Sequence, residues 1–176
     1  MLKNTQKRYG SLAIFLHWSV AIIVIFLLVI GLYMVRLPVN IEKLKLYRWH
    51  KEWGVLVFLL MVFRLCWRLI NITPVLTLPL WQKIAARTVH FAFYIFLFVI
   101  PVTGWCLSSA AGLPISFFGL FTLPDLIAPN EHLRLLFTEL HQWLSYGLIA
   151  AIGLHTGAAL QHHFIYKDKI LERMFP

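Results

Sequence analysis

Charged and apolar positions segregate along this sequence into long hydrophobic runs separated by short polar islands. No Asp, Glu, Lys or Arg occurs from Tyr9 to Val35, from Trp53 to Phe63, from Thr88 to Pro124, or from Leu140 to Tyr166. The hydrocarbon core of a bilayer takes about 20 predominantly apolar residues of helix. The pattern therefore predicts four transmembrane helices, at about 11–35, 48–70, 84–109 and 137–164. The second is the least apolar, with Arg64 and Arg68 in its last two turns, where long basic side chains can snorkel to the headgroups. The first follows Lys3, Lys7 and Arg8, yet it is longer than a secretory h-region and no small-x-small cleavage site closes it, so it reads as a retained helix. The expected fold class is all-α: an integral membrane four-helix bundle forming one domain over residues 1–176, with both termini on the same side.

Composition sharpens the picture. Of the 176 residues 60% are hydrophobic and 13% charged, against about 25% charged in a soluble domain, and the mean hydropathy is +0.77. An ordinary water-soluble fold is excluded. The formal charge of +9, from 16 Lys and Arg against 7 Asp and Glu, would suggest nucleic acid if the bases formed one groove; the islands leave no room for one. Instead the bases report orientation. Ten (Lys3, Lys7, Arg8, Arg64, Arg68, Lys83, Arg87, Lys167, Lys169, Arg173) fall on the side of the termini and six (Arg36, Lys43, Lys45, Arg48, Lys51, Arg134) on the other, which places both termini in the cytoplasm. Trp18, Trp49, Trp53, Trp81, Trp105 and Trp143 lie near span ends, as interfacial aromatics do. Cys66 and Cys106 come late in the second and third spans, near opposite faces and too far apart for a disulfide. The segment 110–136 is expected to lie partly along the outer interface, and the mixed-charge tail from Tyr166 to Pro176 on the cytoplasmic leaflet.

The chemistry lies in the histidines. Five of the eight, His17, His50, His90, His141 and His155, fall inside or at the edge of a predicted span, where an ionisable group is costly and marks function. His141 and His155 are 14 residues apart, which on a helix means about 21 Å of rise and a return to nearly the same face. His162 continues that stripe and His163 turns away from it. At the outer level His50, expected in the first turn of the second helix, can face His141. At the inner level either His17 or His90 can pair with His155. Arg64, 14 residues after His50, shares its face at the inner level and suits an anionic group such as a propionate.

Pairs of neutral imidazoles on facing helices suit haem, which needs two axial ligands and an apolar slot; Phe91, Phe93, Phe96 and Phe98 offer its walls. Zinc would want four closed ligands, and neither cysteine shares a histidine level. No carboxylate accompanies the histidines at di-iron spacing, and the absence of Cys-x-x-Cys-His excludes covalent c-type attachment. Two bis-histidine haems b are the expectation. These residues also resemble the bacterial cytochrome b561 family, di-haem membrane proteins related to the cytochrome b subunits of nickel–iron hydrogenases. The resemblance spans essentially the whole chain and rests on Leu16-His17-Trp18, His50, Arg64 with Arg68, His90, Leu154-His155, and His162-His163 followed by Lys167-Asp168. Arg87 departs from it, standing where some relatives carry a histidine. The resemblance implies an inner haem held by His17 and His155, an outer haem held by His50 and His141, and a quinone site near His90 and His162. It also implies residence in the bacterial inner membrane.

Two stacked haems would pass single electrons across the bilayer, and filled axial positions disfavour direct oxygen binding. The expected function is transmembrane electron transfer, and the resemblance implies ubiquinone as the membrane partner and, since some relatives oxidise superoxide at the outer face, in enzymatic form a superoxide:ubiquinone oxidoreductase. The first outer loop, Arg36 to Glu52, has five basic and two acidic residues and would steer an anion such as superoxide, with Lys51 next to His50 the residue singled out. Two other readings stand beside this one. The chain could be a haem-bearing anchor for a soluble dehydrogenase or another redox protein. Or it could be a haem-free histidine-lined transporter, which calls for broken helices, with Pro101, Thr103 and Gly104 as candidates for the break. Ser108, Ser109 and Thr156 read as helix-packing groups.

Overall fold

The computed structural model describes residues 1–6, 8–75, 78–168 and 170–175; Lys7 and Lys169, counted above among the bases on the terminal side, lie outside the described residues. The chain is mostly helical. Four long helices follow one another: α1 (Ser11–Met34), α2 (Ile41–Leu69), α3 (Leu80–Ala110) and α4 (Glu131–Gln161). A wide π-type turn (His162–Tyr166) and a 3-10 turn (Leu171–Met174) complete the tail. Three segments are long and apolar enough to cross a membrane, Ser11–Met34, Leu80–Ala110 and Glu131–Tyr166. Helix α2 is the fourth long helix, and its charges explain why it stands apart: Glu42, Lys43, Lys45, Arg48, Lys51 and Glu52 precede its apolar run, and Arg64 and Arg68 follow.

Helices α2, α3 and α4 start earlier than the apolar runs suggest, and in α2 and α4 side-chain caps rather than hydropathy set the beginning. Asn40 accepts the backbone N–H of Lys43 at 2.8 Å, and Asn130 accepts that of Leu133 at 3.0 Å. Each satisfies one of the orphan donors of a first turn, and Glu42 and Glu131 add the negative charge that the positive end of the helix dipole favours. Thus α2 begins seven residues before position 48 and α4 six before position 137. His50 consequently sits in the third turn of α2, not the first. Helix α3 runs unbroken through Pro101.

The long helices pack in sequence, α1 on α2, α2 on α3 and α3 on α4. Their common core is Val20, Val24, Val57, Met61, Leu97 and Leu148, and Gly147 lets Phe96 come so close that an added Cβ would stand 3.0 Å from its ring. Outside this core α1 remains apolar, exposing Phe15, Ile22, Ile25 and Val29; hydrophobic residues all round mark a membrane helix.

The segment between α3 and α4 holds an unforeseen hairpin, strand β1 (Ser116–Phe117) pairing antiparallel with β2 (Phe121–Thr122) and turning through Phe118 at φ 48° and Gly119 at φ 74°. Strand β1 lies on α2. At the other end of the molecule the N-terminal segment, the α2–α3 loop and the tail are tied together. Asn4 Nδ2 donates to the Ile72 carbonyl at 2.7 Å, Val75 N–H to Gln6 at 3.0 Å, Arg173 to Val75 at 3.0 Å, and the Trp18 indole to Met174 at 2.8 Å.

Candidate functional site

Helix α4 presents His141 and His155 on one face at two levels, and each meets an imidazole from another helix. At the level remote from the termini His141 faces His50 of α2, with ring centroids 6.0 Å apart. At the level nearer the termini His155 faces His17 of α1 at 6.3 Å and His90 of α3 at 5.6 Å, with Phe93 at 5.3 Å on its other side. Among the long helices α4 packs its backbone closely on α3. Its links to α1 and α2 at these two levels are made by imidazoles across a wider gap. All five rings are half-buried.

The remote pair has the more defined surroundings. Thr103, buried in α3, donates its hydroxyl proton to the Ile100 carbonyl at 2.8 Å. Nδ1 of His141 lies 3.0 Å from that carbonyl and 3.2 Å from Thr103 Oγ1. Both neighbours can only accept there, so Nδ1 carries the proton and Nε2 keeps its lone pair. Two glycines make room for the rings. A Cβ on Gly104 would meet His141 Cε1 at 3.1 Å, and one on Gly31 would meet His50 Cε1 at 3.2 Å. Sequence reasoning missed Gly31 and named Thr103 and Gly104 only as candidates for a break under the transporter alternative; the signal lay in two glycines at the depth of the paired histidines. Among the described residues Nδ1 of His50 is buried without a hydrogen-bond partner.

Near the other pair Arg64 lies 3.2 Å from Nδ1 of His17. Among the described residues no carboxylate is within ion-pair distance of this half-buried guanidinium, while Arg68 stacks over Tyr94 at 5.6 Å. His162 is turned to the tail: its Nδ1 meets Asp168 Oδ2 at 2.5 Å, the other Asp168 oxygen accepts Ile170 N–H at 3.1 Å, and Tyr166 covers the ring at 5.1 Å. Of the four phenylalanines expected as walls, Phe93 touches His155, Phe96 packs on Gly147 and Phe98 on Phe58; Phe91 is 68% exposed and points outward. Its place in the helical period, two residues before Phe93, puts it on the far side.

Lys51 does not extend freely into solvent. Its ammonium donates to Ser108 Oγ at 3.2 Å, to the Leu113 carbonyl at 3.4 Å and to the Pro114 carbonyl at 3.2 Å, so it fastens α2 to the segment after α3. Beside it Arg48 and Glu52 approach at 3.7 Å, lining a recess with Trp49, Trp53, Phe118 and Gly119.

Among the described residues no cluster of three or more His, Cys, Asp or Glu side chains is placed to hold a metal ion on protein ligands alone. Pairs of imidazoles suit a metal whose other positions a macrocycle fills. A metal nitrogen bond of about 2.0–2.1 Å on each side, with about 1.1 Å more from each nitrogen to its ring centre, separates two centroids by about 6.3 Å. The spacings of 6.0 and 6.3 Å, the buried lone Nδ1 of His50 and the two glycine clearances all fit such a group.

The sequence matches the family described as prokaryotic cytochrome b561 over residues 8–176. Cytochrome b561 homolog 2 of Escherichia coli (strain K12) is 38% identical over 175 residues, covering 97% of this chain and 93% of the relative. Cytochrome b561 homolog 1 of the same organism is 33% identical over 177 residues, covering 97% and 98%. The probable superoxide oxidase CybB of Yersinia pestis is 28% identical over 181 residues, covering 97% of each.

Proposed function

The chain belongs to the prokaryotic cytochrome b561 family of haem b membrane electron-transfer proteins, and from that premise we propose that it binds two haems b and exchanges electrons between the outer face of the bacterial inner membrane and ubiquinone. The observation that carries this reading is the pair of imidazole pairs, 6.0 and 6.3 Å between centroids, each joining α4 to another helix at its own level.

In this reading His50 and His141 would hold the outer haem, His17 and His155 the inner one, and the guanidinium of Arg64 would take a propionate of the inner group. Haem held by such imidazole pairs would supply a one-electron iron couple. The chain's own part is to orient and to exclude. The Ile100 carbonyl and Thr103 set the tautomer and plane of His141, as outer-shell partners do for metal-bound histidines. Phe93 covers His155, and the core residues Val57, Met61 and Leu97 keep water from the space between the levels. His90 and His162 lie on the terminal side, where ubiquinone would be served, and the Asp168 contact fixes the ring of His162. Both termini are cytoplasmic.

The relative named a probable superoxide oxidase supports superoxide as the electron donor at the outer face. The basic first outer loop favours approach of such an anion through its summed field, since the Lys51 ammonium itself is engaged by three oxygens.

The test is a pyridine haemochrome assay with a reduced-minus-oxidised spectrum on detergent-purified protein. Two low-spin haems b per chain are expected. Alanine at His50 or His141 should remove one and alanine at His17 or His155 the other, while His90→Ala should retain both. Absence of haem from well-folded protein would overturn the reading. Turnover of superoxide and ubiquinone by the purified chain alone, against turnover only with an added dehydrogenase or cytochrome, separates an enzyme from an anchor subunit.

A further inference from the structure

Helix α2 carries a buried carboxylate that takes no part in either imidazole level. The side chain of Glu52 is 7% exposed, and its partner Arg48 approaches only to 3.7 Å, beyond hydrogen-bond distance, on a side chain that is 67% exposed. Among the described residues nothing donates a hydrogen bond to this carboxylate. A charge so placed is costly unless a hydrogen-bonded cation meets it.

Glu52 opens onto a recess of about 310 Å³ that it lines with Arg48, Trp49, Trp53, Phe118 and Gly119. Two neighbouring stripes of the helix meet there, Arg48 with Glu52 and Trp49 with Trp53, each pair four residues apart. The hairpin tip supplies a further wall: Phe118, at φ 48°, sets its ring edge-on to Trp53 at 5.6 Å. Such a backbone is costly for a residue other than glycine. Arg48 and Glu52 each stand two residues from His50, about 200° around the helix. The two charges thus face away from the imidazole pair, and what that pair holds does not bear on them. The charged start of α2 ends at Glu52 and an uncharged run from Trp53 to Phe63 follows, which sets the recess at headgroup level on the membrane face remote from the termini.

The chemistry selects an occupant. A carboxylate without donors calls for N–H groups, of which an ammonium brings three. Indole faces favour a cation, and the exposed guanidinium beside them suits a phosphate. Among the described residues no group of three His, Cys, Asp or Glu side chains is placed to take a metal ion instead. We propose that the recess binds the phosphoethanolamine headgroup of a membrane phospholipid, its ammonium on Glu52 against the indoles, its phosphate on Arg48 and its acyl chains left in the bilayer. Headgroup and ion pair then form an alternating set of four charges. Phosphocholine has the same charges but no N–H, and phosphoglycerol has no cation, so the recess selects the primary amine.

The experiment uses the full chain, delipidated in detergent. Its thermal midpoint is followed as phosphatidylethanolamine, phosphatidylcholine or phosphatidylglycerol with identical acyl chains is titrated in, and retained lipid is counted by native mass spectrometry. Phosphatidylethanolamine should raise the midpoint at concentrations about tenfold below the other two, the factor expected for hydrogen bonds to a charged group, and one molecule should be retained. Glu52→Gln should abolish the preference and leave the lipid-free midpoint at or above the parent's, because it removes an under-bonded buried charge. A carboxylate that merely held the hairpin in place would give a lower one. Arg48→Gln should weaken binding roughly twofold to fivefold and keep the preference for the amine. Equal responses to the three lipids, a preference that survives Glu52→Gln, or a lipid-free midpoint that falls in that variant overturns the proposal. An equal effect of soluble glycerophosphoethanolamine at the same concentration overturns the lipid as the source of the headgroup.

Discussion

Gly104 shows how little separates a helix-packing glycine from one that serves the site. A side chain there would meet the His141 ring at 3.1 Å from its first carbon, and α3 has no slack to retreat because Thr103 and Ser108 on either side are buried. Gly104→Val should therefore displace the imidazole and cost about 1–3 kcal/mol of overpacking. On the di-haem reading, haemochrome analysis should then find one haem in place of two, with a lowered thermal midpoint in detergent. The five histidines stood out because an ionisable group inside an apolar run has few bland explanations; the 14-residue interval set His141 and His155 at two levels, and the direction of each predicted span assigned levels to the other three. The glycines were not, since membrane helices use glycine widely for packing. The same holds for the Arg64–His17 contact. Sequence places Arg64 at the inner level, but which atom it touches depends on how α1 leans on α2.

At the scale of elements, apolar runs located all four helices and missed where three of them begin. Asn40 and Asn130 cap α2 and α4 outside the hydrophobic stretch, so a count of apolar residues starts late by about two turns. The hairpin after α3 left almost no trace. Two residues per strand are too few for an alternating pattern, and Phe118 in a left-handed conformation is not a residue that such a turn normally selects. What holds this segment is Lys51, reaching across from α2 to Ser108, Leu113 and Pro114. Lys51→Met should leave those oxygens without their cation, destabilise the segment by about 1–3 kcal/mol, and speed limited proteolysis within residues 111–130 while haem content stays at the parent level. A loss of haem in that variant would instead assign Lys51 to the site itself.

For the whole molecule, the bonds that join the N-terminal segment, the α2–α3 loop and the tail put both termini at one end, and reporters fused to either terminus should be read out on the cytoplasmic side. Removing residues 170–176 would take away the partners of Trp18 and Val75. It should lower the thermal midpoint and open the α2–α3 loop to protease, with the outer haem retained. The side of the membrane is an expectation that rests on a bias in Lys and Arg, whereas the knot at the terminal end, built from backbone carbonyls, has no sequence signature. The two-level face of α4 also bears on how the protein is made. Each imidazole pair takes one member from α4, the last long helix to leave the ribosome, and the first three helices by themselves contain no complete pair. If these pairs hold haem as proposed, the nascent chain enters the membrane without cofactor, and delivery of haem waits on the insertion of a single helix.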